Sequence, residues 1–420
     1  MKCIRQYGRK IVGLMSAGLM CCLYVGSVAA VTQEITAVFK PDPANPQENK
    51  FVNQTPVSGY CAKYPELCKR DNVFSLRLPI RFVSRTAIQP NHGERQGPTF
   101  KVPANWRALT VRNLATGEHE VVEIRIAGFG SEYTLSDTAI NIVGGAENAG
   151  EAHRKLWGGG LSDWVNAPAP CLSVGVGYYH HQYYGFFWKT PVENHCSKRS
   201  SYLIPGISYD HMDFSYELRT PNPLTMSAGL YSGAISYTVG PGQDFDMGDV
   251  MLPDDALITL DFNLHVQHIF KVDIPPGGHR IELIPQGGWQ AWLQQGRKPV
   301  RLFRDQTFTI SASTRFKMKL ECQNDLSEGC GIADPVSGYG GLVNVYVSLP
   351  NGLTDSHGQP VSRVLLGRDA AGPFQPGFSV DRTPGTLHFE VPQKDVSWLI
   401  QNAKGRAFAG NITVIWDSEV

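Results

Sequence analysis

The sequence predicts an all-β protein built as two β-sandwich domains. Three observations carry that expectation: apolar side chains recur at every second position in several short runs, turn-forming residues are in excess, and composition shifts near the middle of the chain. In Phe74-Ser-Leu-Arg-Leu-Pro-Ile-Arg-Phe82 every apolar residue falls on one strand face. Leu260-Asp-Phe-Asn-Leu-His-Val266 and Val343-Asn-Val-Tyr-Val-Ser-Leu349 repeat the scheme. Glycine (43) and proline (28) make up about 17% of the 420 residues, where roughly 12% is ordinary, which suits many short strands joined by turns. Residues 151–166 are the main candidate for a helix, and Gly158-Gly-Gly160 would break it.

The chain opens on Lys2, Arg5, Arg9 and Lys10, followed by the apolar stretch Ile11–Val25 and the small residues Val28-Ala-Ala30. That order is expected of a secretory signal peptide over residues 1–30, cleaved after Ala30. The 38 basic and 38 acidic residues cancel in the whole chain. Removing a segment with four basic and no acidic residues leaves a net charge of about −4. Nothing in that balance points to nucleic acid as a partner.

Three of the nine cysteines fall in the signal, and six remain as local pairs: Cys61 with Cys68, Cys171 with Cys196, Cys322 with Cys330. In an exported chain such pairs read as disulfides, although six cysteines allow fifteen connectivities. The chain contains no CxxC zinc spacing, no Gly-x-Ser-x-Gly elbow and no His-Glu-x-x-His helix. No cofactor, metal or catalytic residue is therefore assigned.

The run Gly240-Pro-Gly-Gln-Asp-Phe-Asp-Met-Gly-Asp-Val-Met-Leu-Pro253 is rich in turn formers and acids, which places an expected boundary between residues 31–252 and 253–420. In the first region the densest chemical feature is Gly177-Tyr-Tyr-His-His-Gln-Tyr-Tyr-Gly-Phe-Phe-Trp188. Aromatic faces stack on the C–H faces of sugars, while nearby carboxylates and imidazoles supply directional hydrogen bonds. Trp157, Trp164, Tyr179, His181, Tyr183, Trp188, Asp210 and Asp213 are thus the candidate ligand-binding residues. A metal held by Asp210, His211, Asp213, His180, His181 or His195 is the weaker use of the same side chains.

Toward the C-terminus, Phe408-Ala-Gly-Asn-Ile-Thr-Val-Ile-Trp416 places Phe408, Ile412, Val414 and Trp416 on one face of a strand. A strand this apolar must be covered, either by its own domain or by a strand donated from another chain. With Val272-Asp-Ile-Pro-Pro-Gly277, Pro285-Gln-Gly-Gly-Trp289, Phe308-Thr-Ile-Ser-Ala-Ser313 and Val347-Ser-Leu-Pro350, this half resembles the pilin domain of two-domain tip adhesins from bacterial chaperone-usher fimbriae. The resemblance implies an incomplete immunoglobulin-like fold whose groove, bordered by those four residues, takes a strand from a periplasmic chaperone and then from the next fimbrial subunit. It also implies an outer-membrane usher, export to a fimbrial tip at the cell surface, and a glycan receptor for the first domain. Two other classes are weighed beside it: a secreted or periplasmic carbohydrate-active hydrolase, and a structural fimbrial subunit without a ligand. Val31–Lys40, with Ile35, Ala37 and Phe39 in alternation, is expected to be the first strand of its own domain rather than a free donor extension.

Overall fold

The structure is a computed structural model that describes residues 31–160, 162–326, 329–402 and 405–418; the expected signal at 1–30 lies outside the described residues. Strands dominate, and the apolar residues separate into two large clusters, one running from Ile35 to Val266 and the other built on Phe308 to Leu399.

The first cluster is organised around one long strand, His119–Leu135. Its first half pairs with Arg107–Asn113, its middle with Met212–Arg219, and its second half with Tyr183–Lys189 and Ile207–Tyr209. Val122, Ile124 and Ile126 follow the period of two and point into the core, as alternation demands. The change of partners is possible because Gly128 and Gly130 lack side chains. A Cβ at Gly130 would sit 2.5 Å from the Phe186 carbonyl oxygen.

Val31–Phe39 is indeed a strand of this domain, lying parallel to Leu257–Val266 from Val31 opposite Ile258 to Phe39 opposite Val266. Leu257–Val266 also pairs along its whole length with Gly229–Thr238. The strand expected to open the second region therefore closes the first sheet, and Ile258, Leu260, Phe262, Leu264 and Val266 fill the first core. The change between cores falls at 267–269 rather than at 253. The turn-rich run is an internal loop pinned by Arg95, whose guanidinium holds the buried Asp246 at 2.8 Å and Asp249 at 2.7 Å.

The expected helix at 151–166 is shorter and starts earlier, at Ala149–Leu156, with the Asn148 side chain accepting the Glu151 N–H as its cap. Gly158, Gly159 and Gly160 all take positive φ, which ends it. All three local disulfides form as paired in the sequence.

The second core lies between two sheets. One orders Phe270–Asp273, Leu302–Ala312, Val380–Val391, Gly340–Ser348, Gly329–Ala333 and Asn324–Leu326; the other orders Leu353–Thr354, Ala371–Pro376, Phe316–Cys322 and Ile412–Ser418. A helix that sequence reasoning did not expect, Gln393–Asn402, packs Val396 and Leu399 against one end.

Candidate functional site: an open groove and a lidded cleft

The strand Ile412–Ser418 ends its sheet. It pairs with Phe316–Cys322 on one side, Val414 opposite Leu320 and Trp416 opposite Met318, and with no strand on the other among the described residues. Its alternation turns Ile412, Val414 and Trp416 toward the core. The Trp416 ring meets Phe308 edge-on at 4.9 Å. All three nevertheless remain only half-buried, as does Phe408 before them. Gly410 lets the chain enter, since a Cβ there would lie 2.6 Å from the Gly331 carbonyl oxygen.

Beside the free edge runs a groove of about 410 Å³. Ile412, Val414 and Trp416 form one wall, Val343, Leu387 and Phe389 the floor, and Ile274, Ile281 and Leu283 the opposite wall. Among the described residues that opposite wall pairs with no strand. Among the described residues, the only backbone–backbone hydrogen bonds over 274–283 are two local turns, Gly278 N–H to Pro275 O and Arg280 N–H to Gly277 O. One unpaired strand edge thus borders an apolar trough whose far side is a turn-containing segment, an opening of the kind that β-augmentation fills.

In the first domain, the outer face of Tyr183–Lys189 is covered by two short helices, Tyr60–Lys63 and Pro65–Asp71, stapled by Cys61–Cys68. The Tyr60 ring lies flat on Phe187, centroids 3.9 Å apart and planes 6° from parallel. Gly59 opens the lid at φ +65°, and a Cβ there would sit 2.6 Å from Asp213 Oδ1. Arg77 grips that carboxylate with two bonds, Nε to Oδ1 at 2.7 Å and Nη2 to Oδ2 at 2.8 Å. Burial alone would raise the Asp213 ionisation, but the Arg77 and His211 side chains outweigh it and hold the carboxyl below the usual range. Lys63 Nζ stands 3.5 Å from the centre of the Tyr178 ring.

Between the lid and the sheet is a cleft of about 190 Å³, with Tyr60, Leu172, Val174 and Phe187 on its apolar side. Its polar side carries two ion pairs, Lys189 to Asp71 at 2.8 Å and Arg125 to Glu217 at 2.8 Å, together with Thr190 and Ser215. Among the described residues the buried Tyr60 hydroxyl has no hydrogen-bond partner, and burial followed by the nearby Asp71 charge pushes its ionisation up to about 12. Such a mix of carboxylates, cations, hydroxyls and ring edges suits a polyhydroxylated ligand.

The eight candidate ligand residues do not form one site. Trp157, Trp164 and Trp188 are core residues, the first donating to the Tyr133 hydroxyl at 3.0 Å and the last to the Trp164 carbonyl at 2.8 Å. Gly158-Gly-Gly160 follows the helix Ala149–Leu156, and the indoles of Trp157 and Trp164 on either side of it are both buried. Asp213 is closed into the Arg77 pair. Tyr179, His181 and Tyr183 do gather at the hairpin end, the first two exposed and Tyr183 stacked on His180 at 5.5 Å. Asp210 joins them through Thr134, which lies opposite Tyr183 and donates to its carboxylate at 2.8 Å. His195 lies apart, beside Thr99 and Arg95. Among the described residues no three or more metal-ligating side chains converge. Sequence reading missed Tyr60, Lys63, Arg77 and Phe187; the signal available was the seven-residue Cys61–Cys68 spacing with Pro65 placed to begin a helix.

No protein-family model and no curated protein matches the chain. Three of the solved structures it is similar to come from fimbrial tip adhesin systems. A chain from a chaperone–tip adhesin complex of CFA/I fimbriae is 9% identical, with 93% of this chain and 97% of that one covered at a TM-score of 0.25. The CFA/I adhesin of enterotoxigenic E. coli, as a mutant, is 9% identical over 93% of each chain at 0.27. A chain from the chaperone–tip adhesion subunit pre-assembly complex of the archaic Csu pili of Acinetobacter baumannii is 10% identical over 93% and 99% at 0.21. At those TM-scores the likeness carries no argument for this chain.

Proposed function

We propose that this chain is a fimbrial tip adhesin: its second domain is completed by a β-strand from another chain, and its first domain binds a glycan noncovalently. The observation that carries the reading is the half-open core along Ile412–Ser418, where an unpaired strand edge faces an unpaired segment across an apolar trough. The occupant we assign is an extended segment with alternating apolar residues, supplied first by a periplasmic chaperone and then by the neighbouring subunit, during passage through an outer-membrane usher to the cell surface. Glycan binding is supported by the polar, ring-edged cleft under the lid and by the Tyr179–Tyr183 hairpin end. Fluorescence titration tests the first half. A nine-residue peptide with Val or Ile at alternate positions should change the emission of Trp416, and the same peptide with serine at those positions should not. Equal responses would remove the groove reading. A glycan array probed with residues 31–266 tests the second half independently, and uniform silence there would leave a structural subunit.

A further inference from the structure

Three polar side chains on the outer face of the second domain fall into a nucleophile–base–orienter arrangement that no motif announced. Ser348 ends strand Gly340–Ser348, His388 lies toward the end of Val380–Val391, and Asp305 lies on Leu302–Ala312, three adjacent strands of one sheet. Asp305 is directly opposite His388 in the register, and Ser348 is opposite Thr386, two residues before it. Alternation places all three on the face away from the core, and cross-strand spacing brings their side chains together. Ser348 Oγ is 2.9 Å from His388 Nε2, and His388 Nδ1 is 2.8 Å from Asp305 Oδ1.

The proton positions follow from chemistry. An ionised carboxylate only accepts, so Nδ1 of His388 carries the hydrogen and donates it to Asp305. In the neutral ring Nε2 is then an acceptor, which obliges Ser348 to donate its hydroxyl hydrogen there. Ser348 Oγ also accepts the Arg363 backbone N–H at 3.0 Å, so its hydrogen has no competing place on that bond. Arg363 sits at φ +49°, a left-handed conformation that a side-chain-bearing residue rarely adopts, and strained backbone of this kind collects at functional sites. Its N–H bond fixes the position of Oγ beside His388. The Arg363 and Arg301 guanidiniums, both paired to Glu390, flank the same face at 2.9 and 3.5 Å from that carboxylate.

We propose that Ser348 is an activated nucleophile, with His388 as general base and Asp305 as its positioning residue, and that the site accepts acyl groups from small carboxylic esters. Oγ bonds to the carbonyl carbon as its proton passes to His388 Nε2. That proton then leaves with the departing alcohol as the ester C–O bond breaks. Water repeats the sequence in reverse, releasing the acid and restoring the hydroxyl. The site lies apart from the groove and from the lidded cleft, so the proposal stands or falls independently of adhesion.

The test uses the full chain with a fluorophosphonate probe, in which the P–F bond breaks and fluoride leaves, followed by peptide mass mapping and p-nitrophenyl acetate hydrolysis. Ser348 should be labelled at least about 100-fold faster than any other serine of the chain, the scale that a positioned general base supplies. His388→Gln should remove that excess, Ser348→Ala should abolish labelling and hydrolysis together, and Asp305→Asn should slow both while leaving the thermal unfolding midpoint within a few degrees. Labelling of Ser348 at the rate of the other serines, or equal labelling in His388→Gln, would overturn the proposal and reduce the three residues to a cross-strand hydrogen-bond ladder.

Discussion

The groove reading can be tested as a difference between two fusions of the full chain. A glycine-serine linker after Val420 carries a seven-residue strand, in one version with Val, Ile and Val at the three positions facing Ile412, Val414 and Trp416, and in the other with serine at those positions. The cost of ordering the added backbone is common to both and cancels. What remains is the transfer of three aliphatic side chains into the trough. Complete burial of each would contribute about 1.5–3 kcal/mol. The trough is open on its outer side, and its wall residues Ile412, Val414, Trp416, Ile281 and Leu283 are themselves only half-buried, so roughly half of that is recovered. The sum is about 3 kcal/mol. For a domain of this size each kcal/mol moves the midpoint by about 2–4 °C, which gives a separation of about 6–12 °C between the fusions. Differential scanning calorimetry reads it directly. Coincident transitions for the two fusions would refute the reasoning, because an occupied groove must distinguish valine from serine.

Three further outcomes follow from the first domain. Arg77→Ala should lower stability by about 2–4 kcal/mol in urea unfolding, against about 1–2 for Asp213→Ala, because the first leaves a buried carboxylate without its partner while the second frees an arginine that already reaches solvent. Lys198 is buried with its ammonium on the Ser162 and Asp163 carbonyls, and burial pulls its ionisation down to about 8. The unfolded chain therefore binds more protons between pH 8 and about 10.5, so stability should rise with pH across that window in the native chain and stay flat in Lys198→Met, as urea midpoints at each pH would show. His153 is wholly buried between the Tyr133 hydroxyl and the His180 carbonyl, at 2.8 and 2.7 Å, and burial lowers its ionisation. Its contribution is fully present above about pH 6.5 and is lost as pH falls below that value, so His153→Gln should flatten the acid limb of the stability profile.

The strands were legible because their alternation is local. Val343–Leu349 and Phe408–Trp416 each state in a few residues which side faces the core. The three disulfides were legible for the same reason, their cysteines being close in sequence. The domain change-over was not. Leu257–Val266 has the pattern of any half-buried strand, and its pairings with Val31–Phe39, more than two hundred residues away, and with Gly229–Thr238 decide which core it fills. The turn-rich run before it looked like a linker, yet the Arg95–Asp246 pair fastens it within the first domain.

The site residues failed for a related reason. A period of two says that Phe186 and Phe187 point to opposite faces, and experience of half-buried sheets then makes one of them a candidate for solvent. Both are buried, because the helical lid at 60–71 comes back from far upstream to stack Tyr60 on Phe187. Tryptophan content misled in the same way: Trp157, Trp164 and Trp188 form one aromatic core with Tyr133 and Phe186, where an indole is worth more as packed area than as a ligand platform. Ile412, Val414 and Trp416 show the opposite outcome from an equally apolar pattern. Alternation fixes the face a side chain takes, whereas cover for that face is a matter of topology. On the aromatic hairpin the chain supplies the cover itself; along Ile412–Ser418 the described residues leave one side open, and that contrast marks the place the proposed donated strand would fill.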